Sequence, residues 1–357
     1  MKGEVYFRAL LSGERCSIPD RLVFCLLRFV ALIYGLAMRL RLLAYRSGLF
    51  RSYSLPVPVI SIGNIVVGGT GKTPVTAWIA DYFLKRGKKV AVLTRGYGGS
   101  MEGEVAIVSD GENRLLTPIE AGDEPCLLAD MLPGLIVVMG SNRYQAGCLA
   151  QERFKPDIFL LDDGFQHLRL KRDLDILLLD AAKPLGNGFT FPAGFLREPA
   201  AAVRRADLAV FTRSEGLLPP NVLLSEKTVS VSAVHKLTGF RTLAGKETKP
   251  FAELQSLRGL AFAGIAAPEL FFDALEKEGL TLASTLAFPD HTIYGDAEYA
   301  ALARLRSSSR ADYLITTAKD AIKLQYSGGE EAPFYVASLE MVFRDVQSLS
   351  RELDKFL

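Results

Sequence analysis

The stretch that decides the fold reads VVGGTGKTP, residues 66–74. Gly71-Lys72-Thr73 ends the phosphate-binding pattern G-x-x-x-x-G-K-[ST], although Val66 holds the place of that pattern's first glycine. Upstream, LPVPVISIGN (55–64) is a β-branched run bounded by prolines and reads as a buried parallel strand. Downstream, TPVTAWIADYFLKRG (73–87) has the apolar spacing of a helix, stopped by Gly87. Strand, glycine turn and helix form the setting such a loop needs. The N–H groups around Gly68, Gly69 and Gly71 can curl about an anion, and the helix N-terminus adds its positive dipole end. An ordinary glycine turn is the alternative, and the added Gly-Lys-Thr argues against it.

Working outward, KVAVLTR (89–95), LIVVMG (135–140), PDIFLLDD (156–163), LDILLLD (174–180) and DLAVFTR (207–213) are further short apolar runs, several ending in a polar residue. Strands alternating with helix-like stretches indicate an α/β fold with a doubly wound, mostly parallel sheet of the P-loop NTPase type. Ligands sit at the carboxyl ends of strands in such sheets, where Asn64, Arg95, Asp162 and Asp163 fall. LLPPNV and TKP interrupt the pattern between residues 214 and 250. Beyond them, GLAFAGIAAPELFFDALEKEG (259–279) and DYLITTAKDAIKL (312–324) again read strand, turn, helix. The expected organisation is an N-terminal segment (1–50), a nucleotide-binding core (51–214) and a second, smaller α/β lobe (215–357).

A chain of 357 residues, 49% hydrophobic, can bury a large core, and a net charge of +2 gives no footing for nucleic acid. Cys16, Cys25, Cys126 and Cys148 are widely spaced, which favours a reducing compartment over disulfides or zinc. LVFCLLRFVALIYGLAM (22–38) departs from the average and runs into the basic RLRLLAYR (39–46). It starts too far from Met1, and lacks the small-residue site, for a removed signal peptide. Two readings stand: a core helix, or a helix in or on the membrane with Arg39, Arg41, Arg46 and Arg51 facing anionic headgroups on the cytoplasmic side. The second is preferred, with the remainder of the chain soluble.

Lys72 is placed to reach β- and γ-phosphates, and the Thr73 hydroxyl to join a Mg²⁺ shell. Asp162, at the end of an apolar strand, can bind Mg²⁺; with Asp163 beside it, either both share the cation or one of the two caps the next turn while the other binds metal. GDEP (122–125) sets Asp123 and Glu124 at a helix start, where a carboxylate serves as an N-terminal cap or as a general base. Arg95, Arg197 and Lys319 adjoin turns and suit either phosphates or surface salt bridges. His291 lies in a polar loop with Asp290, Tyr294 and Asp296.

IGNIVVGGTGKTP (62–74), RGYGG (95–99), GDEP, LDDGFQH (161–167), LREP (196–199), FPDH (288–291) and TTAKDAIKL (316–324), in this order, resemble the tetraacyldisaccharide 4'-kinase family, which makes a lipid A precursor in Gram-negative bacteria. The resemblance runs from about residue 20 to residue 340 and extends to the missing first glycine. It implies transfer of the γ-phosphoryl of ATP, with Mg²⁺, to the 4'-hydroxyl of an acylated glucosamine disaccharide 1-phosphate. By motif position it implies that Val66, Val67, Gly68, Gly69, Thr70, Gly71, Lys72, Thr73 and Arg197 bind ATP, and that Asp123, His291 and Lys72 are catalytic. Thr73, Asp162, Asp163 and Glu124 would hold the metal; Asn64, Arg95, Arg143, Gln166 and His167 would lie toward the acceptor. It places the enzyme at the cytoplasmic face of the inner membrane, docked by the N-terminal segment. Ala318 stands where relatives often carry Glu, which weakens any role for that turn. A membrane-associated partitioning ATPase is the competing class. Its loop has Lys before the glycine pair, where this chain has Val67, and its membrane helix is usually C-terminal, where this chain reads DVQSLSRELDKFL (345–357).

Overall fold

Apolar runs with both faces buried become central parallel strands, and they set the layers of this molecule. In the computed structural model, which describes residues 2–15, 17–214, 222–243, 245, 247–324 and 333–357, the strands are β1 (Val59–Asn64), β2 (Val90–Thr94), β3 (Ala106–Asp110), β4 (Ile136–Met139), β5 (Ile158–Asp162), β6 (Leu174–Asp180), β7 (Leu208–Thr212), β8 (Val229–Thr242), β9 (Arg258–Ala263), β10 (Thr281–Ala287), β11 (Tyr313–Thr316) and β12 (Phe334–Phe343). The helices are α1 (Lys2–Leu11), α2 (Ile18–Arg46), α3 (Lys72–Leu84), α4 (Pro118–Ala121), α5 (Asp123–Met131), α6 (Arg143–Phe154), α7 (Pro268–Lys277), α8 (Asp296–Ser309), α9 (Ala318–Ala321) and α10 (Val346–Leu353). Of the LLPPNV stretch, all but Val222 lies outside the described residues.

The strands form one sheet in the order β10-β9-β11-β12-β8-β7-β6-β1-β5-β2-β4-β3. Pairing is parallel except at β3 with β4, on one edge, and at β12 with β8. The 14-residue β8 joins the two halves: its start pairs with β7 and its remainder with β12. The two halves of the chain are therefore joined in one sheet by backbone hydrogen bonds.

Alternation along the strands sorts side chains onto two faces. Ile60, Val92 and Leu160 pack under α3, α5 and α10 with Val75, Leu128 and Leu349. Their neighbours Val59, Ala91, Leu93 and Phe159 pack on the other face with Ala146 and Ala150 of α6. In the second half, α7 covers one face through Phe272 and Leu275, and α8 the other through Leu302. α10, which the charged C-terminal sequence concealed, inserts Leu349 and Leu353 into the first core.

α2 extends well past the expected apolar stretch, to 29 residues. Ser17 and Asp20 form a capping box at its start, and Ser47 caps its end. It is long and apolar enough to cross a membrane, and of its residues only Asp20, Ala31 and Gly35 are buried. Leu22, Leu26, Phe29, Ile33, Leu36, Leu40 and Leu43 recur at steps of four and three, so they form one stripe, and all are exposed. The opposite side docks on residues 187–199. Phe24 meets the edge of Phe189, Thr190 Oγ1 donates to the Ala31 carbonyl (2.9 Å), and Tyr34 Oη donates to the Arg197 carbonyl (2.9 Å).

Gly63 shows how closely the loop after β5 sits on β1: a Cβ there would lie 2.7 Å from the Phe165 nitrogen. Gly63→Ala is expected to destabilise the protein by about 1–3 kcal/mol, because the backbone opposite must shift. Urea unfolding in detergent measures this, and an unchanged midpoint would show that the two segments are not so tightly apposed.

Candidate active site

Residues 66–71 wrap from β1 into α3, and each part is held by a neighbour. The buried Asn64 side chain donates to the Gly68 carbonyl (3.2 Å) and Thr70 Oγ1 (2.9 Å). Thr212 Oγ1 donates to the Thr70 carbonyl and Arg213 to the Gly69 carbonyl (2.7 Å). Val67 N–H donates to the Phe195 carbonyl. Gly71 is left-handed (φ +79°), and a Cβ there would lie 2.8 Å from the His235 ring, so only glycine fits. No side chain caps α3, which leaves its first N–H groups facing the loop. Burial, then the Arg213 charge, pushes His235 down to about 4, so a neutral ring lies under the loop at pH 7.

The two aspartates after β5 face different surroundings. Asp162, the last strand residue, turns inward and accepts from Thr76 Oγ1 (3.1 Å) in the first turns of α3. Burial first, then the charges of Glu124 and Asp163, push it up to about 7, against the pull of Lys72 and Thr76. Asp163 takes a left-handed backbone (φ +50°) and turns toward cations. Arg197 holds both its oxygens at 2.8 Å, and Lys72 Nζ lies 3.7 Å from Oδ1. Burial opposes its ionisation, but Lys72 and Arg197 outweigh burial and keep Asp163 below the usual carboxylate range. Arg143, buried at the start of α6, donates to the Gly140 carbonyl; burial lowers it to about 10 while Asp162 and Asp163 resist.

A second cluster forms where α5 starts. The turn after β2 is fastened to this region by Ser100 N–H to the Ile119 carbonyl and Met101 N–H to the Glu120 carbonyl. Asp123 Oδ2 lies 3.0 Å from His291 Nδ1, a contact across 168 residues. His291 is left-handed (φ +61°), with the Tyr97 ring edge-on to it. Asp290 pairs with Lys319 at 3.0 Å. Glu124, beside Asp123, is near enough to Asp162 to raise it, so the two clusters adjoin.

Other expected residues serve as braces. Gln166 Nε2 donates to the Asn64 carbonyl, and Arg41 donates to the Gln166 carbonyl. Burial, then Arg143, pushes His167 down to about 4. Arg95 is exposed and paired with Glu102 (3.2 Å). The sequence reading did not single out Thr76, His235, the Arg205–Glu198 pair (2.5 Å) or Lys323. Thr76 follows Lys72 by one helical turn, so its facing toward the strand end was legible; the other three depend on tertiary contacts.

Asp162 yields a pH prediction. Folded, it keeps its proton up to about 7, whereas the unfolded group releases it near 3.8. The protein therefore loses stability from this group as pH rises across that window, and no more above it. In buffer without metal or nucleotide, Asp162→Asn should be more stable than the parent, by a margin that grows between about pH 4 and 7 and then levels. Urea unfolding across that range tests it; a margin independent of pH would mean that folded Asp162 ionises as it does in water.

The chain has many relatives. A family model described as tetraacyldisaccharide-1-P 4'-kinase matches residues 23–357. The tetraacyldisaccharide 4'-kinase of Geobacter sulfurreducens is 52% identical over 352 residues, covering 99% of both chains. That of Geobacter metallireducens is 53% identical over 338 residues, covering 95% of this chain and 99% of its own. Among solved structures, LpxK from Aquifex aeolicus in complex with ATP superposes with a TM-score of 0.78 at 33% identity, covering 92% of this chain and 97% of that one. With the phosphate-binding loop, the paired aspartates and the Asp123–His291 contact in place, the chain belongs to the tetraacyldisaccharide-1-P 4'-kinase family.

Proposed function

We propose that this chain transfers the γ-phosphoryl group of ATP to the 4'-hydroxyl of a tetraacyl glucosamine disaccharide 1-phosphate, a step of lipid A formation, at a membrane surface. The observation that carries the reading is the junction of two clusters: the loop with Lys72, Asp162, Asp163 and Arg197, and the Asp123–His291 pair beside Glu124. Residues 51–214 supply the nucleotide loop, 215–357 supply His291, and 1–50 supply the membrane segment.

Residues 66–73 and Arg197 bind the phosphates, the exposed N–H groups of α3 supplying donors. The acceptor oxygen bonds to the γ-phosphorus as the bond to the β-bridging oxygen breaks, giving ADP and the 4'-phosphate. Asp123 takes the hydroxyl proton, and His291 fixes its carboxylate. Lys72 and Arg197 lie where negative charge builds on the transferred group.

The residues present fit Mg²⁺. Thr73 and Asp162 offer hard oxygens that would hold the ion, and its charge would offset the influence of Glu124 and Asp163 on Asp162. When bound with ATP, Mg²⁺ neutralises charge on the β- and γ-phosphates.

The outward stripe of α2 supports docking at the bilayer, where the acceptor's acyl chains reside. Placing Glu at Leu26, Ile33 and Leu40 together should release the protein from anionic liposomes in flotation, since these side chains are more exposed than buried and the fold depends little on them. Retained flotation would remove the docking role of the stripe.

The deciding experiment is transfer of labelled γ-phosphate from ATP to the tetraacylated disaccharide 1-phosphate in detergent micelles. A labelled lipid that vanishes with Lys72→Ala supports the reading, and ATP hydrolysis without lipid labelling favours a nucleotide switch instead. Asp123→Ala should lower kcat by about 10²- to 10⁴-fold with ATP affinity retained.

A further inference from the structure

The TTAKDAIKL turn contributes a charge that the proposed reaction has not used. Lys323 follows α9, its side chain only 6% exposed, and its ammonium lies between two carboxylates. Asp320 Oδ1 is 3.1 Å away and Asp123 Oδ2 is 3.6 Å away. Neither approach has hydrogen-bond geometry, so the attraction is that of opposite charges. Asp320 is itself fixed: its Oδ2 accepts from Gly264 N–H (3.0 Å) and Thr317 Oγ1 (2.7 Å), and the residue is fully buried. The Tyr294 ring lies 5.5 Å from the Lys323 ammonium and closes its remaining side.

We propose that Lys323 is a positioning residue for Asp123, acting with His291 to hold one carboxylate oxygen so that the other faces the acceptor hydroxyl. Both contacts fall on Oδ2 of Asp123, and no described contact reaches Oδ1. Two groups from the second half of the chain thus restrain the same atom of a residue in the first half. His291 does so through a hydrogen bond, and Lys323 through a buried charge anchored to Asp320. A carboxylate held at one oxygen loses rotational freedom about its terminal torsion, and a base aligned in advance gains rate in proportion. Lys323 touches neither phosphate nor acceptor in this account and works only through Asp123.

The inference rests on the kinase reading, so the parent's lipid phosphorylation is measured first; its absence would end that reading and this one together. Given an active parent, Lys323→Met should lower kcat by about 10- to 100-fold while KM for ATP and for the lipid stays within about twofold, because binding groups are untouched. Lys323→Arg should recover part of the loss by restoring the charge. In the Asp123→Asn background, Lys323→Met should cost little more, since the atom it positions no longer accepts a proton. Circular dichroism and nucleotide binding establish that each variant is folded, and Lys323→Gln replaces Lys323→Met in the cycle if the latter is not. An unchanged kcat in a folded variant overturns the proposal. So does the same fold-loss in both backgrounds, and so does a loss confined to KM.

Discussion

Arg197 grips both oxygens of Asp163, and much of the site's arrangement depends on that pair. Both oxygens are met by one guanidinium nitrogen, Nη1, and a hydrogen bond between two ionised groups is stronger than one between neutral groups. Three elements meet at it. The Arg197 N–H donates to the Ile65 carbonyl just before the phosphate-binding loop, and its own carbonyl accepts from Tyr34 of α2. Lys72 shares the same carboxylate. One pair thus ties the loop, the end of β5 and the apolar helix to a common point. It also gives the Lys72 and Arg197 cations a counter-charge that offsets their mutual repulsion.

Asp162 and Asp163, adjacent in sequence, sit in opposite electrostatic surroundings. The strand alternation sends Asp162 inward beneath α3, where burial and neighbouring acids raise it, while a left-handed backbone turns Asp163 out to two cations that lower it. Environments that push two carboxyls apart mark distinct chemical tasks. In the proposed reaction Asp162 is the group that profits from a cation, and Asp163 the one already compensated. The sequence left open which of the two would meet metal. Their identical chemistry and adjacent places carry no such information; the direction each side chain takes does.

What could be read from the sequence follows the same logic. β1, β2, β4, β5, β6 and β7 were visible because central strands buried on both faces are unbroken apolar runs. β8, β10 and β12 were not, because VSVSAVHKLTGFRT, TLASTLA and FYVASLEMVF mix polar and apolar residues as half-exposed strands do. α6 escaped notice because RYQAGCLAQERF buries only Arg143, Ala146, Gly147 and Ala150. The single sheet that runs through both halves was not legible, since pairing of β8 with β12 is a contact over about a hundred residues of chain. The phosphate-binding loop was legible because all its parts are consecutive. Asp123 and His291 could be matched only through family resemblance, and Lys323 went unmarked because its value comes from burial between acids 3 and 200 residues away.

The placement of these groups separates two tasks that a lipid kinase must keep in step. The phosphate-binding loop is built almost wholly by the first half, with His235 and Met341 from the joining strands packed against Gly71. The proposed base is different: Asp123 comes from the first half, while everything that restrains its carboxylate comes from the second. The loop thus draws mainly on one half, whereas the contacts that restrain Asp123 cross from one half to the other. The apolar stripe of α2 faces away from the strap that carries Arg197, so a bilayer taken up by that stripe would lie on the side from which the strap is held. An acceptor anchored by its acyl chains would then approach along the same side, and its hydroxyl could reach the γ-phosphate only where the two halves close over it.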